Sequence, residues 1–262
     1  LQIVHASKLE NDFGIPENAD IDAFINLNQI IYQSDINFLG GNPGIDVIVP
    51  LVDLDINHAF LKAQDGVGDV LIGPFMQWGD AVNGPKMLFG RPSFHRIELQ
   101  VTAPTGENSN DYALNPGADV WTFNPYYAFT YFITPKLSTS WRIHYLWSSE
   151  NKNADFLGGL AEDVQAGQAI HLNYAVAYQV TDILRLGVAG YYLNQFEEDD
   201  YSGAAAKPFE KDSEEEVFAI GPGLVWHINK DLTFMGAINF ETGAENRPEG
   251  VRSTLRLIWK FR

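Results

Sequence analysis

Along most of this chain, bulky apolar residues alternate with small or polar ones at a period of two. The runs are about ten residues long and end at Gly, Pro, Asn or Asp. The last run is the cleanest: Leu255, Leu257, Trp259 and Phe261 share one face, Arg256 and Lys260 the other, with Ile258 the exception. Upstream, Trp141, Ile143, Tyr145 and Trp147 alternate with Arg142, His144 and Leu146. Ile170, Leu172, Tyr174, Val176 and Tyr178 stand against His171, Asn173, Ala175 and Ala177. Reading every run this way predicts about twelve strands, at roughly 1–9, 20–33, 45–56, 66–78, 93–103, 120–133, 138–147, 169–179, 184–195, 216–227, 232–240 and 250–261.

Alternation alone fits a soluble sandwich as well as a membrane barrel. In a sandwich the bulky face points at the core and the polar face at water. Here the small, charged face is the one suited to an interior, while the bulky face is long, aromatic-tipped and nearly free of charge. That is the outward band of a transmembrane barrel with aromatic residues at both interfaces. The connections agree. Those around Gly40–Pro43, Thr134–Leu137, Val180–Ile183 and Asn229–Asp231 are short, and 10–19, 104–119, 148–168, 196–215 and 241–249 are long and polar. Short periplasmic turns opposite long external loops mark an outer-membrane barrel, although 79–92 is long on the short side. The expectation is one all-β domain over residues 1–262, a transmembrane antiparallel up-and-down β-barrel in a bacterial outer membrane. An even strand number puts both termini on the periplasmic side. The first residue is Leu1 rather than Met, which reads as a processed or trimmed start.

Composition narrows the functional classes. With 34 acidic against 17 basic residues and a formal charge of −17, the chain lacks the basic footprint of a nucleic-acid binder. It has no cysteine, hence no disulfide, thiolate nucleophile or thiolate metal site. No phosphate loop, paired-His helix motif or Gly-x-Ser-x-Gly elbow occurs, and no cofactor or metal is expected. The six histidines are scattered; His144 and His171 are expected to be luminal neighbours, with Ser140 on the face of His144, and to be satisfied polar residues rather than a hydrolase pair. The acidic stretch 196–216 reads as a solvated, mobile loop.

Twelve strands lie between barrels filled by side chains and barrels that leave an aqueous channel, so the lining decides. The alternation assigns Asp53, Asp55, Asp69, Arg96, Glu98, Arg142, Arg185, Arg256 and Lys260 to a paired luminal network, and Val47, Val49, Leu51, Leu71, Phe75 and Tyr126 to an apolar lining. Strands 3 and 4 each carry an internal proline. Pairing Ile56 with Val67 puts Pro50 opposite residue 73, beside Pro74, so two donors are missing at one height. An orphan backbone group in hydrocarbon costs several kcal/mol, which makes this the cheapest place for a kink or side opening. A plain bulge is the alternative, and Pro222 in strand 10 is a weaker candidate of the same kind.

The segments Val47–Asp55 (VIVPLVDLD), Gly66–Trp78 (GVGDVLIGPFMQW), Val101–Gly106 (VTAPTG), Ile220–Leu224 (IGPGL) and Asn246–Arg252 (NRPEGVR) resemble the outer-membrane channel family named for the meta pathway of phenol degradation. The likeness runs along most of the chain and includes Pro50 and Pro74. It implies a monomeric barrel, in contact with outer-membrane lipid and lipopolysaccharide, that takes up small hydrophobic and often aromatic molecules, with sideways release into the membrane as one route. Arg262, after Phe261, departs from a terminal aromatic. The functional expectation is passive uptake of hydrophobic solutes. The alternatives are a porin for polar or charged solutes, an outer-membrane lipid hydrolase, and a structural or adhesion barrel.

Overall fold

The computed structural model describes residues 1–10, 20–57, 62–79, 84–152, 163–203, 206–207 and 210–261, with the side chains of 7–10 left out. Twelve strands form the wall: β1 Gln2–Glu10, β2 Asp20–Gln33, β3 Asn42–Asn57, β4 Val70–Trp78, β5 Arg91–Ala103, β6 Thr122–Phe132, β7 Leu137–Ser148, β8 Ala169–Gln179, β9 Leu184–Gln195, β10 Glu216–His227, β11 Leu232–Glu245 and β12 Arg247–Trp259. Each pairs antiparallel with its sequence neighbours, and β1 pairs with β12, so the sheet closes on itself. Closure leaves no free sheet edge, the condition for a sheet to cross lipid. No helix among the described residues is long and apolar enough to cross a membrane.

The short turns follow from local chemistry. Asn229 Oδ1 accepts the amides of Asp231 and Leu232, both at 2.9 Å, and Thr134 Oγ1 accepts that of Leu137 at 2.9 Å. Leu39 and Gly40 both have positive φ between the paired residues Phe38 and Gly41, a tight turn in which glycine at the second position removes the Cβ penalty. The long connection 79–92 is partly strand. Lys86–Leu88 pairs back on Arg91–Ser93 through a Phe89–Gly90 turn, extending β5 below its neighbours.

Burial separates the two faces. Ile97, Leu99, Tyr127, Trp141, Ile143, Val176, Ile220 and Leu257 are exposed, whereas Asp46, Glu98, Tyr126, Ser138 and His144 are buried. A protein with its acids inside and its isoleucines outside is arranged for a hydrocarbon surround. Exposed aromatics collect at both ends of the outer face: Tyr178, Trp226 and Trp259 toward the short turns, Trp121, Trp147 and Phe240 toward the long loops.

Two external connections differ from expectation. β11 and β12 run on to meet around Asn246, so 241–249 is a hairpin rather than a long loop; Asn246 adopts positive φ and donates to the carbonyls of Asp212 and Glu214. The acidic loop after β9 is folded on its neighbour. Val164–Gln165 pairs with Asp200–Tyr201, and Tyr201, Ala206 and Val164 pack together. Asp199 accepts the Gly167 amide at 2.9 Å and the Gln195 side chain at 2.8 Å. Acids that serve as acceptors for backbone amides organise a loop rather than merely solvating it.

Candidate functional site

The lumen is built from the inward residues of each strand. At its centre lies Glu98 on β5, 0% exposed, accepting from Arg96 at 3.2 Å, Gln100 at 2.8 Å and Tyr126 at 2.5 Å. Arg96 also donates to Gln77 at 2.9 Å and lies over the Phe75 ring. Gly73, paired with Asp46 on β3, faces this group, and a Cβ there would collide with the Glu98 carboxylate. Asp46, 2% exposed, accepts from Gln29 at 2.5 Å, and Gln29 accepts from Arg256 on β12. His144 bonds Asn124 at 2.9 Å and stacks on His171, its partner across the β7–β8 ladder. Ser140 bonds Thr130 at 2.9 Å, so Ser140 and His144 each have another partner and form no dyad. Among the described residues no group of His, Asp and Glu could hold a metal ion.

The expected lining divides in two. Leu71, Phe75, Tyr126, Arg96, Glu98, Arg142, Arg185 and Arg256 lie on the inward face: Leu71 pairs with Ile48, Phe75 with Glu98, Glu98 with Tyr126, Ala128 with Arg142, and Arg185 with Gln179. Val47, Val49, Leu51, Asp53 and Asp55 do not. Asp46 is buried against Gly73, and alternation from it turns Val47, Val49 and Leu51 outward, where Leu51 is 46% exposed and Val47 pairs with the exposed Ile30 and Ile72. Asp53 and Asp55 share that outer face, near Asp22, which bonds His5 at 2.7 Å. The inward residues of β3 are instead Ile48, Pro50, Val52, Leu54 and Ile56, facing the lumen with Ile21, Ala23, Ile25 and Leu27 of β2. The external end of this hairpin is therefore apolar inside and acidic outside, the reverse of the wall elsewhere. Asp69 belongs to no luminal network: its carboxylate accepts the amides of Thr105, Gly106 and Ala118 at 2.8–3.0 Å and ties loop 104–118 to the wall.

The prolines are arranged differently from the expected register. Pro74 pairs with Ile45 and points outward, well below Pro50. The β3–β4 ladder runs from Asn42↔Gln77 to Ile48↔Leu71 and resumes at Leu51↔Val67, leaving Val49 and Pro50 facing Gly68, Asp69 and Val70. The extra residue makes a bulge, and one bond crosses it, Gly68 N to Pro50 O at 3.0 Å. Val67 faces Leu51 rather than Ile56, which moves Pro50 away from residue 73. Pro74, Pro125 and Pro222 each coincide with two unpaired positions in one ladder, β4–β5, β6–β7 and β10–β11, with no change of register. Pro50, by contrast, lies inside a slipped register.

A closed antiparallel barrel with an apolar, aromatic-tipped exterior and a charged interior defines the class: an outer-membrane β-barrel. Residues 7–257 match the family described as "Putative MetA-pathway of phenol degradation", and the chain belongs to that family. Among solved structures it is similar to the COG4313 outer membrane channel from Pseudomonas putida F1, at TM-score 0.81 and 16% identity over 99% of this chain and 92% of that one. The KdgM porin in complex with disordered oligogalacturonate lies much further off, at TM-score 0.46 and 9% identity over the full length of both chains. No curated protein sequence matches the chain.

Proposed function

We propose that this barrel is a passive channel through which small hydrophobic molecules, aromatic ones included, cross the polar lipopolysaccharide layer, working as a monomer. The observation that carries the reading is the apolar inner face of the β2–β3 hairpin. Ile25, Val52 and Leu54 face the lumen there, and Ile48, Leu71 and Phe75 continue the track inward. A water-filled pore gains nothing from such a strip. For a greasy solute it replaces water with apolar contact at about 25 cal/mol per Å² buried. Binding stays weak enough for onward movement because the strip is long and shallow.

The bulge at Val49–Pro50 and Gly68–Val70 is the exit in this reading. The ladder slips register there beside a proline that has no amide to donate, and the solute passes sideways into the acyl region down its partition gradient. Because the chain has no cysteine, the seam can be locked cleanly. In proteoliposomes bearing a lipopolysaccharide leaflet, an oxidised Val49→Cys/Val70→Cys pair is expected to abolish most uptake of a hydrophobic fluorophore and to leave ion conductance unchanged. Uptake indifferent to the cross-link would remove sideways release. Uptake no faster than in protein-free vesicles would remove the apolar conduit altogether.

A further inference from the structure

The sign of the charge inside the barrel opposes that of the whole chain. Among the described residues of the spanning strands, the inward charges include Arg96, Arg142, Arg185, Arg252 and Arg256 against Asp46, Glu98 and Glu241. A chain of net charge −17 thus carries a surplus of cations along its lumen. Four of these guanidiniums rest on inward aromatic rings, Arg96 on Phe75, Arg142 on Tyr126, Arg185 on Phe132 and Arg252 on Tyr191, at 3.9–5.1 Å from the ring centroid. A guanidinium held by its face keeps its N–H edge free to donate.

Their anionic partners are unequally shared. Arg96 pairs with Glu98 at 3.2 Å, and Arg252 approaches Glu241 at 3.9 Å. Arg185 donates to Ser138 and the Ala177 carbonyl, and Arg256 to Gln29. Arg142 is different. It is half-buried on the luminal face, and among the described residues no acceptor takes any of its five donors; its guanidinium lies over the Tyr126 ring. Cross-strand register places it two strands from Arg96 with Ala128 between, so the residue separating the two arginines in the sheet carries only a methyl group. Arg256 lies within electrostatic reach of both.

We propose that Arg142, flanked by Arg96 across Ala128, is an anion-binding station, and that the solutes this channel takes best are small organic carboxylates with an apolar, preferably aromatic, body. The carboxylate docks edge-on to Arg142 while the body lies along the apolar strip of β2–β3. The proposal rests on the hydrophobic-conduit reading and refines it, because the apolar strip alone gives no preference for charge.

The test titrates benzoate and benzyl alcohol, the same ring with and without charge, into the detergent-solubilised barrel, with empty micelles as blank. Benzoate is expected to bind, Arg142→Gln to weaken it about tenfold or more, as loss of a charge-assisted contact does, and Arg142→Lys to keep part of the affinity. Raising chloride competes with benzoate and leaves the alcohol unaffected. Equal binding of the two probes, no binding of benzoate, or unchanged binding by Arg142→Gln each overturns the proposal. Thermal melting of the variants separates misfolding from loss of the station, and a folded Arg142→Gln barrel in bilayers should also shift its zero-current potential toward cation preference. Failure of the conduit reading looks different: Val52→Asp then weakens neither probe.

Discussion

Glu98 is the residue whose removal the structure prices most sharply. It is fully enclosed and accepts from three donors, of which Tyr126 and Gln100 are themselves buried. Glu98→Ala leaves those two neutral donors orphaned, at about 1–3 kcal/mol each. It also strips Arg96 of its carboxylate, though Arg96 keeps Gln77 and the Phe75 ring. The sum falls near the 3–5 kcal/mol typical of breaking one side of a buried pair, with the lower figure favoured because water in a lumen can replace some bonds. Glu98→Gln keeps shape and one acceptor and should cost about half as much. Tyr126→Phe removes one bond to a charged group and should cost about 1.5 kcal/mol, with strong coupling to Glu98→Ala. Urea unfolding in lipid vesicles, followed by tryptophan fluorescence, measures these three variants and the Glu98→Ala/Tyr126→Phe double variant. If Glu98→Ala came within about 0.5 kcal/mol of the parent, the layer would be wet and the enclosed network wrong.

Three further outcomes follow from the same geometry. Val47→Arg, on the lipid face of β3, should destabilise the barrel by about 2–4 kcal/mol in vesicles, and Ile48→Arg, on the luminal face, by clearly less; the opposite order would reverse the face assignment. Asp69→Ala should release loop 104–118 without unfolding the wall, seen as faster amide hydrogen exchange at Thr105, Gly106 and Ala118 and nowhere in β7–β9. In the folded loop after β9, the Lys207 ammonium donates to Asp200 and holds its carboxyl below the usual range. A depressed carboxyl stabilises the fold at neutral pH and loses that contribution as pH falls through its folded value. Exchange across 199–203 should therefore quicken on acidification, and Lys207→Met should flatten that dependence.

How much of this was legible in the sequence varied with how strongly each residue's setting is written locally. Strand number and the alternation of short turns with long loops were readable because turn residues such as Asn229 and Gly40 act within a few positions of themselves. The faces of β5–β12 were readable because charged and aromatic residues there fall on opposite sides. On β3 both faces are apolar from Val47 to Val52, and the flanking acids carry opposite signs: Asp46 marks the inward face, while Asp53 and Asp55 suggest the other. Those aspartates face outward at the external end of the hairpin, where Asp55 pairs with another acid, Asp22, and Asp53 with Phe24. The bulge at Pro50 depends on a register that one extra residue shifts, and its placement by Asp69 through loop 104–118 joins segments far apart in sequence. The order in the acidic loop was hidden for the same reason, since Tyr201 is buried by Val164 from another connection. Alternation places Arg142 among luminal charges of both signs, and the register reveals that its cross-strand neighbours, Ala128 and Asn173, supply no acid.

The joining of β1 to β12 has a consequence for assembly. The two strands that complete the ring come from opposite ends of the chain, with Gln2 opposite Thr254 and Glu10 opposite Arg247. Until the last strand is in place, the first and the newest both present unsatisfied amides, to lipid or to any other extended segment nearby. Such long-range pairing is slow to find. This polypeptide therefore spends its maturation as an open ribbon with two sticky borders, and whatever guides it into the bilayer must guard both until they meet.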